Sequence, residues 1–263
     1  MYKQPFISFI GSGNLAWHLA PALDNTGYSV REVYSREPKN AKALVGKLYE
    51  GEVKKDLDFS TSKSSIFIIA VSDDVIESVV QEIVLPENAV LVHTSGSQPL
   101  SLLDYAATEN SGVFYPLQTF SKNKKVDFKD IPIFIESESR EVEKLLTEMA
   151  KAISRKVVRI DSRQRKALHV AAVFASNFTN HMLRISKDIL SEYKLDSDLL
   201  KPLIAETITK ALAIGPEEAQ TGPARRGDLE LLDNHYAFLE EDEEVAEIYK
   251  LVSQHILDQY HSD

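Results

Sequence analysis

The chain predicts a doubly wound α/β fold with a mainly parallel sheet, followed by an all-α C-terminal region. Three observations carry this. Short β-rich runs alternate with helical patterns up to about residue 160. Most of those runs are continuously apolar rather than alternating, as expected of parallel strands covered on both faces. After Asp161 the strand signal stops and only helical periodicity remains.

The elements follow in order. "PFISFIG" precedes the helical "NLAWHLAPALDNTG", and "YSVREVYS" precedes "EPKNAKALVGKL". "SSIFIIAVS" leads to "DDVIESVVQEI", and "AVLVHTSGS" to "LSLLDYA". "SGVFYPL", "IPIFIES", a helix near 139–153 and "KVVRI" complete the first part. Pro21 lies deep in the first helix, where it removes a backbone donor and should kink or shorten it. From Ser162 to about Glu192 a single long helix is predicted, with Leu168, Ala171, Ala175, Phe178, Met182, Ile185 and Ile189 stepping by three and four. Helices over about 196–213, "LELLDNHYAFL" and "EEVAEIYKLVSQHILDQY" follow. The domain boundary is placed near residue 160, giving domains 1–160 and 161–263. The basic segment Arg155 to Lys166 at the joint reads as a solvated surface or as an anion-attracting wall.

Composition excludes several classes. With 43% hydrophobic residues and a net charge of −10, a globular protein is expected and a nucleic-acid partner is not. The absence of cysteine removes disulfides, thiolate metal sites and a cysteine nucleophile. The N-terminal "MYKQPFISFIGSG" lacks a signal-peptide layout, and no apolar run reaches the ~18 residues of a membrane span. The cytoplasm is the expected location. The seven histidines show no zinc-type spacing, so no metal is expected.

Gly11, Gly13 and Ala16 form G-x-G-x-x-A between a strand and a helix, the context a dinucleotide loop requires. Gly11 would permit the tight turn, Gly13 the close approach of a pyrophosphate, and Ala16 close helix–strand packing. The amides of Asn14 and Leu15 would face the phosphate at the helix N-terminus. An ordinary strand-to-helix turn has the same spacing. An NAD site places an acid at the end of the second strand. Here "VYSRE" puts Ser35 and Arg36 there, which favours a 2′-phosphate and hence NADP(H), although Glu37 follows. Val71, Ser72 and Asp73 at the end of the next strand would border the cofactor ribose, and Ser72 or Asp73 would cap the following helix. In "HTSGS", Thr94, Ser95 and Gly96 are small enough for a nicotinamide ring to approach, or they simply make a tight turn.

"FIGSGNLAWHLA", "AVSDD", "VHTSGS", "VFYPLQTF" and "TGPARRGD" together resemble a bacterial family of NADP oxidoreductases. That family joins a Rossmann-like domain to a C-terminal helical domain of unknown function. It is similar to pyrroline-5-carboxylate reductase and the deazaflavin-dependent NADP reductases. The resemblance implies a phosphate loop at Gly11, Ser12, Gly13, Asn14 and Leu15, and a 2′-phosphate contact at Ser35 and Arg36. It also implies a homodimer formed through the helical domain. Two departures stand out. Related families often carry His-Pro after the sixth strand, where this chain has Tyr115-Pro116. The Lys and Asn four residues apart in related β-hydroxyacid dehydrogenases do not transfer, since Lys166 is followed by Val170.

Hydride transfer needs positioning and a proton donor. His169, Val173, Ser176 and Asn180 are spaced to share one face of the long helix, with Asn177 beside it. His169 is a candidate proton donor and Asn177 a candidate carbonyl or imine contact; both also fit as satisfied core polar groups. In "TGPARRGD", Pro223 and Gly227 shape a turn, Asp228 can cap the helix at Leu229, and Arg225 or Arg226 is placed to bind a carboxylate. The "RGD" string is taken as chance. The expected activity is an NADP(H)-dependent oxidoreductase of a small carbonyl or imine, with a non-catalytic NADP-binding sensor as the alternative.

Overall fold

The computed structural model describes residues 5–261, so the reading of residues 1–4 lies outside the described residues. The chain divides into two compact units, Met1–Ser176 and Asn177–Asp263.

The first unit is built on one eight-stranded sheet. Its strands are β1 (Ile7–Ile10), β2 (Val30–Tyr34), β3 (Glu52–Lys54), β4 (Ile66–Ile69), β5 (Val90–His93), β6 (Ser111–Pro116), β7 (Ile133–Glu136) and β8 (Val157–Arg159). Their order is β3-β2-β1-β4-β5-β6-β7-β8. All pairs are parallel except β6 with β7. The order reverses between β1 and β4, the point at which a doubly wound sheet opens a crevice beyond its strand ends. β3 was not anticipated: its three residues are mostly polar and carry no apolar run.

The two-residue repeat of a strand divides the core between the sheet's faces. Ile7, Phe9, Ile66 and Ile68 face one side. There they meet α1 (Asn14–Asp24), α2 (Pro38–Val45) and α4 (Arg140–Ile153), through Leu19, Leu44 and Leu146. Ile10, Phe67, Ile69 and Leu91 face the other side and pack on Val79 and Val80 of α3 (Ile76–Glu82). Pro21 does not end α1, which runs on to Asp24, with the Asn25 amide bonded to the Pro21 carbonyl.

The long helix predicted from 162 is not continuous. It comprises α5 (Ser162–Ala172), a π-helical stretch Val173–Phe178, and α6 (Thr179–Glu192). A π turn breaks the three-and-four rhythm. The single face drawn through His169, Val173, Ser176 and Asn180 therefore does not hold. α5 lies within the first compact unit, which runs to Ser176. The physical reason is Arg165, which ties α5 to the sheet as described below.

The second unit contains α6, α7 (Lys201–Ile214), α8 (Pro216–Ala219), α9 (Pro223–Arg226), α10 (Leu229–Phe238) and α11 (Glu243–His261). Leu232 and Ala246 are buried in it, whereas Leu203, Leu212 and Leu251 are exposed. Among the described residues no helix is long and apolar enough to cross a membrane.

Candidate functional site

A cleft of about 600 Å³ opens where the strand order reverses, at the C-terminal ends of β1, β2, β4 and β5. Gly11 ends β1 with φ +112°, and a Cβ there would lie 2.3 Å from the Ala70 carbonyl oxygen. This glycine is demanded by the fold itself. Gly13 differs. Its backbone is extended (φ −70°, ψ −170°), and a Cβ would meet nothing closer than the Ala70 oxygen at 3.9 Å. Nothing inside the first unit requires a glycine at 13; what a side chain there would obstruct is a group entering the cleft. Gly13 is also the N-cap of α1 and offers no side-chain bond, and the first turn holds no acid. The helix's unpaired amides are left facing an anion. These features fit a dinucleotide pyrophosphate.

Ser12, Asn14 and Leu15 line the same cleft. The buried Ser12 hydroxyl donates to Ser35 Oγ at 2.9 Å, linking the glycine loop to the end of β2. Arg36 lines the cleft, is exposed, and has no ion pair among the described residues. The buried acid of β2, Glu32, points elsewhere and takes bonds from Ser8 and Ser62. Glu37 does not line the cleft.

Val71, Ser72, Asp73, Thr94 and Ser95 complete the wall. The expected helix cap at Ser72 or Asp73 is not formed: Ser72 makes no side-chain cap bond, and the Asp73 carboxylate accepts the Ser97 hydroxyl instead. Asp73 thus fastens the β4 loop to the β5 loop. Thr94 Oγ1 donates to the Ile69 carbonyl at 3.1 Å. Gly96 does not line the cleft. A Cβ on it would stand 2.5 Å from His169 Nδ1 and 2.6 Å from Tyr115 Cζ. Its smallness makes room for those two side chains.

His169 and Tyr115 form a pair, with the Tyr115 hydroxyl 3.1 Å from His169 Nδ1. Tyr115 is 8% exposed, and burial raises its pKa above the ordinary phenol value. It therefore keeps its proton across the physiological range. Tyr115 is the residue that stands where related families carry the histidine of His-Pro.

Arg165 was read as part of a surface charge run, yet it is 1% exposed. It makes five hydrogen bonds. Nε and Nη2 donate to Glu136 Oε2 at 3.1 and 2.8 Å, Nη1 to the carbonyls of Ser95 and Gln98 at 2.8 and 2.6 Å, and Nη2 to Ser162 Oγ at 3.2 Å. Register explains the arrangement: Glu136 stands opposite Val113, which stands opposite His93, so the carboxylate is level with the end of β5. His93 is fully buried; its Nδ1 accepts the Ser95 amide at 3.2 Å. Burial first, and the Arg165 charge second, lower its pKa to about 3. Both groups hold the 94–98 loop; the loop and strand partners of Arg165 lie far along the chain, where sequence spacing does not reveal them.

Asn177 and Arg226 belong to the second unit, and both are exposed. Asn177 is thus not a core polar group. The Arg225 guanidinium lies 4.0 Å from the Tyr260 ring, and its carbonyl accepts from His261 Nε2 at 3.1 Å. Arg226 has no side-chain partner among the described residues. Asp228 caps α10 as the spacing predicts, accepting the Leu231 amide at 3.3 Å. No cluster of three or more metal-ligating side chains occurs among the described residues.

Residues 6–96 match the family described as NADP oxidoreductase, coenzyme F420-dependent, and residues 131–256 match a domain of unknown function, DUF2520. Among solved structures, the chain is similar to one named "putative NADP oxidoreductase" from Bacteroides fragilis. Identity is 39%, coverage 97% of this chain and 99% of the other, and the TM-score 0.85. A protein from Thermotoga maritima is 23% identical over 96% and 98% of the two chains, with a TM-score of 0.71. A reductive aminase from Aspergillus terreus, solved with NADPH and ethyl levulinate, shares the fold at 14% identity, 98% and 95% coverage and a TM-score of 0.72. Comparison with curated protein sequences gives no match. With the Bacteroides fragilis chain aligned along nearly its whole length, this chain belongs to the same family of two-domain NADP oxidoreductases, a Rossmann-like domain followed by a DUF2520 domain.

Proposed function

We propose that the protein is an NADP(H)-dependent oxidoreductase acting on a small carbonyl or imine compound. The observation that carries the cofactor reading is Gly13, a glycine with ordinary backbone angles and open space where its Cβ would be, at the mouth of a cleft that also presents Arg36, which has no ion pair among the described residues. Ser35 in place of an acid, with Glu37 outside the cleft, supports NADP(H) over NAD(H). Gly11–Leu15 would hold the pyrophosphate, Ser35 and Arg36 the 2′-phosphate, and Val71–Asp73 with Thr94 and Ser95 the nicotinamide half.

When bound, the reduced nicotinamide supplies a hydride to the substrate carbon. The chain's part is to place the substrate and deliver a proton to its oxygen or nitrogen. We assign the proton to His169. In its protonated form Nδ1–H donates to the Tyr115 oxygen, and Nε2–H is left for the substrate. After transfer, neutral His169 keeps its remaining proton on Nδ1. Tyr115, protonated through burial, orients the ring and gives up no proton. Asn177 and Arg226 are proposed as contacts to the substrate's polar groups. Exposed Leu203, Leu212 and Leu251 support a homodimer through the helical unit. A cytoplasmic location is proposed with it.

Calorimetric titration with NADPH and NADH tests the cofactor assignment. NADPH should bind at least about tenfold more tightly, one charge-assisted phosphate contact being worth that much. Equal affinities, or no binding of either, would overturn it.

A further inference from the structure

Lys122 lines the cleft together with Gly13, Asn14 and Arg36, yet it comes from the loop that follows β6. That loop is fastened to α1 at several points. His18 Nε2 donates to the Ser121 carbonyl at 2.9 Å, and the His18 and Phe120 rings stack at 6.0 Å. Phe120 in turn stacks on Phe128 at 5.8 Å. Lys122 Nζ stands 4.9 Å from the ring of Trp17, in the first turn of α1, and Lys47 Nζ stands 4.1 Å from the same ring. Lys122 has no carboxylate partner among the described residues; the ring alone steadies its charge.

We propose that Lys122 is a phosphate-binding residue of the dinucleotide site, with the 117–125 loop acting as a strap anchored on α1 by His18 and Trp17. The inference rests on the cofactor reading above. An ammonium parked on an aromatic face is desolvated on one side and mobile on the other, so a nearby phosphate can draw it off the ring at small cost. The anion needs such a partner because the glycine loop, Gly11–Leu15, supplies no charged side chain, and Arg36 stands past the end of β2. Lys124 and Lys125 lie in the same strap but do not line the cleft, so they contribute to the field alone.

The test compares wild type, K122Q, K122R and K124Q by calorimetry with NADPH and NADH. Emission of Trp17, the chain's single tryptophan, on addition of NADP+ gives a second readout. K122Q should weaken NADPH binding about tenfold, K122R should restore it to within about threefold, and K124Q should change it less than twofold. The Trp17 response should shrink in K122Q. A loss confined to NADPH assigns Lys122 to the 2′-phosphate; an equal loss with NADH assigns it to the pyrophosphate; either supports the proposal. K122Q binding like wild type, or K124Q falling as far as K122Q, would overturn it while leaving the cofactor reading intact. Absence of binding by wild type would overturn both.

Discussion

The Tyr115 hydroxyl and His169 Nδ1 lie 3.1 Å apart over the bare Cα of Gly96, so three residues from distant parts of the chain settle one ring's orientation. Removing the hydroxyl should free that ring without emptying the space. Y115F should shift the His169 tautomer ratio, read by 15N–1H NMR of the imidazole, and leave NADPH affinity unchanged. Turnover, once a substrate is in hand, should fall about 10- to 100-fold, the scale of a misdirected general acid. An unaltered His169 tautomer ratio would remove Tyr115 from this role.

The two glycines of the nucleotide loop should separate folding from binding. G11A forces a left-handed angle and a Cβ 2.3 Å from the Ala70 oxygen, and should destabilise the protein by about 2–4 kcal/mol in urea unfolding. G13A meets no such obstacle. Its stability should stay within about 1 kcal/mol of wild type while NADPH binding weakens by tenfold or more. Binding unaffected by G13A would mean that the cleft does not take a pyrophosphate at that point.

Arg165 and Glu136 form a pair with side-chain exposures of 1% and 13%. R165M leaves Glu136 Oε2 and two carbonyls without their donor, with only Ser162 Oγ still bonded to the carboxylate at 2.6 Å, and should cost about 3–5 kcal/mol. The double variant R165M/E136Q should regain part of the loss, because the stranded charge is gone. Full additivity of the two losses would show that the groups act independently.

His93 should make stability fall as the solution turns acidic. In the unfolded chain it takes up a proton near its ordinary 6.5; in the fold it resists down to about 3. The contribution is therefore complete above about pH 6.5 and is lost on descending toward 3, at up to about 1.4 kcal/mol per pH unit. Between pH 6.5 and 5, before most carboxylates titrate, H93Q should flatten the slope of unfolding free energy against pH. A slope unchanged by H93Q would place its origin elsewhere.

Local patterns were legible in the sequence and long-range partnerships were not. The glycine loop, Ser35–Arg36 and the apolar strands announce themselves because their meaning lies within a few residues. Asp228 did so too, as a cap read off its spacing. Arg165 sat among other basic residues and looked like surface. Only the β6–β7 register, which sets Glu136 beside it, explains its burial. Asp73 was expected to cap a helix because local rules favour that, but Ser97 from the next loop claims its carboxylate. The π-helical stretch 173–178 has no composition that distinguishes it from α-helix, so the side-chain face drawn through it was wrong.

The five bonds on the Arg165 guanidinium also bear on how this protein can be altered. Glu136, Ser162 and Arg165 form one block through their side chains, and Ser95 and Gln98 join it through their backbone carbonyls, so a change at Arg165 strands all the rest. Engineering of substrate scope by randomising Glu136, Ser162 or Arg165 should yield mostly destabilised variants, as should any Cβ at Gly96, which would stand 2.5 Å from His169 Nδ1. Libraries that hold this block fixed and vary exposed positions of the second unit, such as Asn177 and Arg226, should keep far more folded members.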